Sequence, residues 1–189
     1  MLGVILAGGA SRRMGTDKAM VEIAGISMLE YVAGVLAGVC DGLVVSGRDS
    51  SGSWEGVPDR GQPFQGPLAG FAATAVEHPD RPLLLVGVDQ PWVQRETLQR
   101  LASRLGSRPV VPVEDGFRQT LCAAYPAGLG SLAVEELEAG GSLQSLLDVT
   151  SYDPVSDWAE WGEDGRSWFS VDGHERLAEG VRRFGTPTG

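Results

Sequence analysis

Two uninterrupted apolar runs, Leu2–Leu6 (LGVIL) and Pro82–Val88 (PLLLVGV), constrain the fold of this chain more than any other feature. A strand with one wet face alternates apolar and polar residues. An uninterrupted run needs both faces covered, and parallel sheets flanked by helices provide that cover. The rest of the pattern agrees. Behind Ser27, a candidate N-cap, Met28, Leu29, Val32, Val35, Leu36 and Val39 recur at helical spacing. The run GPLAGFAATAVE reads as a helix opened by Pro67. Helical periodicity returns in Arg95–Arg104, Leu129–Leu137, Leu143–Leu147 and His174–Phe184. Further strands are expected at Leu43–Val45, Pro109–Val113 and Gln119–Tyr125, a long irregular connection over Gly47–Gln65, and no assignable element over Ser151–Phe169. Strands alternating with helices predict a three-layer α/β/α domain with a mainly parallel sheet and right-handed crossovers.

At 189 residues and 42% hydrophobic, the chain suits one globular domain spanning 1–189. A formal net charge of −10 speaks against a nucleic-acid surface. No run approaches the length of a membrane span, and the stretch Leu2–Ala7, with no basic residue before it, does not read as a signal peptide. Cys40 and Cys122 have no metal-ligand spacing, which points to a reducing cytoplasm.

The charge is unevenly spread. Of fifteen basic residues fourteen are Arg, and Lys18 is the sole lysine. It ends LAGGASRRMGTDK (Leu6–Lys18), a glycine-rich loop directly after the first apolar run. Residues 1–18 hold three basic groups and one acid, whereas the other 171 residues hold twelve basic and twenty-four acidic groups. In open α/β sheets ligands bind beyond the carboxyl ends of the strands, where Gly8, Gly9 and Gly15 would let main-chain N–H groups approach a phosphate. Arg13 and Lys18 would supply the positive charge. The loop fits neither the GxGxxG nor the GxxxxGK[ST] spacing, and a bare glycine turn is the alternative reading. Asp89 closes the second apolar run, where a carboxylate needs a cation or hydrogen bonds; it reads as a metal ligand, or as a helix N-cap or turn residue before Pro91.

LAGGASRRMGTDK, together with GPLAG at Gly66–Gly70 and the triplet Asp89, Gln90, Pro91, resembles the signature set of the molybdenum cofactor guanylyltransferases. The similarity covers residues 2 to about 148. It implies a Rossmann-like nucleotidyltransferase fold, with a nucleotide-binding half (1–92) and an acceptor half (93–189). The implied reaction transfers GMP from GTP to the phosphate of molybdopterin with release of pyrophosphate, aided by Mg2+. Arg13, Lys18 and Asp89 would be catalytic. Leu6, Ala7, Gly8, Gly9, Lys18, Ser46, Asp59, Gly66, Pro67, Leu68 and Asp89 would bind GTP, with Gly8 favouring guanine because cytosine-selecting relatives carry LAAG. Asp89 would hold the metal, joined by Asp172: relatives have Asn-x-Asn where this chain has Ser170, Val171 and Asp172, so Ser170 departs from the first Asn and Asp172 replaces the second; a helix cap is the other reading of Asp172. Expected partners are GTP, molybdopterin and a molybdopterin-delivering protein, with no nucleic acid and no membrane. The rival readings are a CTP-dependent or sugar/lipid-phosphate nucleotidyltransferase and a non-catalytic nucleotide-binding adaptor. His78 and His174 read as surface residues, and Trp158, Trp161 and Trp168 as packing groups.

Overall fold

The computed structural model of the chain describes residues 1–8, 17–49, 54–59 and 66–188. In chain order the elements are β1 (Leu2–Leu6), β2 (Glu22–Ile23), β3 (Ile26–Ser27), α1 (Met28–Ala37), β4 (Gly42–Ser46), β5 (Glu55–Val57), α2 (Pro67–Glu77), β6 (Leu83–Gly87), α3 (Arg95–Arg104), β7 (Val110–Glu114), β8 (Phe117–Arg118), β9 (Cys122–Tyr125), α4 (Gly130–Glu138), α5 (Leu143–Thr150), β10 (Asp153–Val155) and α6 (His174–Phe184). The main sheet runs β10-β7-β9-β6-β1-β4-β5, with β8 paired to β7.

The two apolar runs form the centre of this sheet. β1 pairs in parallel with both β4 and β6, Val4 standing opposite Val44 on one side and Leu85 on the other. Successive side chains of a strand point to opposite faces. Leu2, Val4, Leu6, Leu83 and Leu85 therefore pack with Phe71 and Ala72 of α2, Ala133 of α4 and Leu146 of α5. Ile5, Leu84 and Val86 pack on the other face with Leu29, Val32 and Leu36 of α1 and Leu98 and Leu101 of α3. Both faces are covered, so neither strand has a polar position to alternate. Burying each such leucine contributes about 1.5–3 kcal/mol. A third, smaller cluster joins Met28, Tyr31, Trp92, Phe169 and Val171, with Phe184 of α6 against it.

Local chemistry sets the helix starts. Ser27 and Glu30 form a reciprocal capping box at α1, each side chain accepting from the other's main-chain N–H. Helix α2 begins with Pro67 behind Gly66, whose φ of +81° suits glycine alone.

Three departures from the sequence reading stand out. The segment expected to be one irregular connection contains the edge strand β5, parallel to β4. The strand expected over Gln119–Tyr125 starts at Cys122 and runs antiparallel to β6, so one strand of the sheet's central path is reversed. Just before it, β7 and β8 form a hairpin turning at Asp115 and Gly116, both with positive φ. The sequence held that signal in its Asp-Gly pair. The unassigned stretch 151–169 supplies β10, parallel to β7, and two short 3-10 turns.

The tryptophans of that stretch are packing groups, as read from sequence. Trp158 and Trp168 meet edge to face at 5.2 Å, and Arg104 lies 4.5 Å over Trp161. Cys40 and Cys122 are free, with burial pushing the Cys40 thiol up to about 11 and Cys122 higher still. Among the described residues no helix is long and apolar enough to cross a membrane.

Candidate nucleotide site

The parallel strands deliver their carboxyl ends to one edge of the sheet, and a cavity of about 180 Å³ lies there. Its wall is of two kinds. Leu6, Ala7, Val88 and Leu121 are apolar, while Lys18, Asp59 and Asp89 bring charge. Gly8, Gly66, Pro67, Gly70 and Gly87 leave main chain uncovered between them. The reversal of β9 explains Leu121. Because this strand runs the other way, its beginning, not its end, reaches the edge where β1 and β6 finish.

The ends of the central strands are fastened to one another. Val88 donates its N–H to Leu6 O at 3.0 Å, Gly87 to Leu121 O at 3.0 Å, and Ala7 to Ser46 O at 2.9 Å. Buried Gln90 accepts from the Gly87 N–H at 3.0 Å and fixes the turn that carries Asp89. Asp89 is neither cap nor helix start, since α3 begins at Arg95 behind Gln94.

The Asp89 carboxylate joins distant parts of the chain. Its Oδ2 lies 3.3 Å from Lys18 Nζ and accepts from Ser170 Oγ at 2.9 Å, while its main-chain oxygen accepts the Val171 N–H at 2.8 Å. Both partners of the ion pair are mostly covered, with side-chain exposures of 23% and 20%. Lys18 and the segment after Phe169 thus converge on a carboxylate just beyond the end of β6. Ser170 stands where the resemblance expects the first Asn of Asn-x-Asn and reads from sequence only as a departure, the metal role being given to Asp172. In the structure Asp172 is exposed, does not line the cavity, and precedes Gly173, the N-cap of α6.

Asp59 stands against three glycines. A methyl group at Gly8 would fall 2.8 Å from its Oδ2, and one at Gly70 3.2 Å from its Oδ1. Burial raises the Asp59 pKa above the ordinary carboxylate value. Gly47, another residue the sequence reading passed over, has φ +88°, and a β-carbon there would sit 2.3 Å from Gly8 Cα. Its neighbour Arg48 pairs with Asp17, adding a basic group beside the loop that carries Lys18.

Of the residues expected to bind nucleotide, Leu6, Ala7, Gly8, Lys18, Asp59, Gly66, Pro67 and Asp89 line this one cavity. Ser46 and Leu68 do not. Ser46 is fully buried and donates its hydroxyl to Gly70 O at 2.9 Å, tying β4 to α2. The Leu68 side chain is 1% exposed in the core, so a ligand would meet only its main chain. Gly9, Arg13 and Gly15 lie outside the described residues. Helix α2 starts at the cavity wall with no side-chain cap, which offers its first turn, the positive end of the helix dipole, to a carbonyl or phosphate.

The donor set also suits a small divalent cation. Mg2+ is held by one or two carboxylates together with phosphate oxygens and water, and Asp89 provides one partly exposed carboxylate beside a basic loop.

Comparison with known proteins gives a consistent result. The MobA-like NTP transferase domain family matches residues 3–155. A probable molybdenum cofactor guanylyltransferase from Natronomonas pharaonis is 36% identical over 170 residues, covering 81% of each chain. A molybdenum cofactor biosynthesis bifunctional protein from Synechocystis is 28% identical over 137 residues, 66% of this chain but only 39% of that longer protein. Among solved structures, the molybdopterin-guanine dinucleotide biosynthesis protein A of Archaeoglobus fulgidus superposes with a TM-score of 0.80 over 96% of this chain and 97% of its own, at 21% identity. The fold is therefore the Rossmann-like nucleotidyltransferase fold, and the chain is a member of the MobA-like NTP transferase family.

Proposed function

We propose that the chain transfers the GMP moiety of GTP to the terminal phosphate of molybdopterin. The observation that carries this reading is the meeting of Lys18 and Asp89 beside a cavity walled by the main chain of Leu6–Gly8 and the start of α2. In the reaction a phosphate oxygen of molybdopterin attacks the α-phosphorus of GTP. The bond from that phosphorus to the bridging oxygen breaks, and pyrophosphate leaves with the electron pair. The nucleophile is already anionic, so no protein group has to remove a proton.

The chain's task is then to position groups and neutralise charge. Leu6, Ala7 and Gly8, with Gly66, Pro67 and the main chain of Leu68, present hydrogen-bonding groups to the guanine and ribose. Asp59 completes that end, and Ser46 supports it from beneath. Lys18 neutralises the phosphates together with Arg13 and the N–H of Gly9. A bound Mg2+ would be held by Asp89 and would screen the phosphate charge. Asp172, on the segment that supplies Ser170 though off the cavity wall, would be the second carboxylate for that ion. Residues 1–92 serve the nucleotide and 93–189 the acceptor, which a delivering protein brings to the enzyme in the cytoplasm.

Labelled GTP or CTP incubated with the full chain, molybdopterin and MgCl2 tests this directly. Label from GTP should enter a dinucleotide product with stoichiometric pyrophosphate. Incorporation from CTP alone would make the chain a cytidylyltransferase, and binding of GTP without transfer would make it an adaptor.

A further inference from the structure

The Asp89 carboxylate has two partners on one oxygen, and they differ in kind. Lys18 is an ammonium on a flexible four-carbon stem at the start of a short 3-10 turn, able to serve a phosphate in place of Asp89. Ser170 is a short hydroxyl on main chain already anchored to Asp89, because the Val171 N–H is bonded to Asp89 O at 2.8 Å. Val171 itself is fully buried, and Phe169 packs edge to face on Trp92 at 5.7 Å. The hydroxyl is therefore held in place by the core on both sides. The other carboxylate oxygen, Oδ1, lies over the bare α-carbon of Gly87, where a β-carbon would come within 2.8 Å.

From this geometry we infer that Ser170 is a positioning residue: it keeps the Asp89 carboxylate in its ligating orientation after Lys18 has left Asp89 for the nucleotide phosphates. The inference rests on the reading of Asp89 as metal ligand and deepens it. With Lys18 withdrawn, a carboxylate without another partner on Oδ2 would rotate freely about its side-chain bonds. The Ser170 hydrogen bond removes that freedom and leaves Oδ1 beside Gly87, a residue of the cavity wall. Partners of this type, one bond removed from the ion, commonly change metal affinity by about 10–100-fold when lost. The same contact gives the C-terminal segment a part in nucleotide chemistry performed by the N-terminal half.

Mn2+ binding to the complex of the full chain with GTP, followed by electron paramagnetic resonance, separates the alternatives. Ser170→Ala should weaken Mn2+ binding by about tenfold or more, leave metal-free GTP binding within about twofold, and leave the unfolding midpoint unchanged. Ser170→Thr, which keeps the hydroxyl, should restore Mn2+ affinity. A Ser170→Ala protein with unaltered Mn2+ affinity would overturn the inference while Asp89→Asn still abolished binding. An equal loss of metal-free GTP binding and of thermal stability would also overturn it, by making Ser170 merely structural. If Asp89→Asn itself left Mn2+ binding intact, the reading of Asp89 would fall and the role of Ser170 with it.

Discussion

Gly47 and Gly8 meet main chain to main chain: a β-carbon built on Gly47 would lie 2.3 Å from the α-carbon of Gly8. The ends of β1 and β4 close on each other only because both residues lack side chains, and Gly47 also has a left-handed φ of +88°. Gly47→Ala should therefore cost about 1–3 kcal/mol and push Gly8 into the cavity. Thermal unfolding should show a lower midpoint, and a GTP titration weaker binding. Wild-type values in both would mean that the approach has slack.

Lys18→Arg conserves charge but replaces a compact ammonium by a wider planar fork in a space bounded by Asp89. Turnover should fall by about 10²-fold, comparable with removal of one group that stabilises transition-state charge. Steady-state kinetics with GTP check this, and near-normal kcat would show that any cation suffices.

The raised pKa of Asp59 has a definite sign for stability. Between its unfolded and its higher folded value the native state binds more protons than the unfolded one, so stability falls as pH rises through that window and stays reduced above it. Asp59→Asn should raise the unfolding midpoint at neutral pH and flatten its dependence on mildly acidic pH. GTP affinity should drop at the same time, because the carboxylate lines the cavity proposed for the nucleotide. Melting curves from pH 4 to 7 with a parallel GTP titration would show whether the two effects oppose each other.

Away from the cavity, Glu163 is 4% exposed and accepts from Thr97 Oγ1 at 2.6 Å, from the N–H groups of Asp164, Gly165 and Ser167, and from the Ser167 hydroxyl. Ser167 in turn accepts the Gln94 N–H at the start of α3. Glu163→Gln would face donors with donors, costing about 2–3 kcal/mol and about 5–10 °C in midpoint. Calorimetry decides the matter, and a shift under a degree would mean that the loop rearranges at no cost.

The sequence announced the layers because burial on two faces leaves its mark in consecutive residues, as in Leu83–Gly87, and amphipathic helices leave theirs in spacing. The bounds Arg95–Arg104 and His174–Phe184 agree with the structure for that reason. Two-residue strands such as Glu22–Ile23 are too short to carry a period, and strand direction is not written in composition, so the reversal of β9 stayed hidden. At the site, Lys18 and Asp89 were legible from the residues themselves, one as the sole lysine and one as the carboxylate closing an apolar run, whereas Asp59, next to Arg60, came only from the family resemblance. Ser170 was visible only as a departure from the relatives' Asn-x-Asn, and its contact with Asp89 across 81 residues is reported by no local pattern. Ser46, read from its place at a strand end, is drawn inward by the Gly70 carbonyl.

The reversed strand also decides where this architecture tolerates novelty. Since β7 climbs to the cavity edge and β9 descends from it, residues 115–121 form a hairpin with both feet on that edge. Phe117, next to its turn, is 74% exposed. The β8 register on β7 and Leu121 in the cavity wall tie down the rest of this segment, so length can change at the turn of Asp115 and Gly116, an interchangeable part beside the cavity.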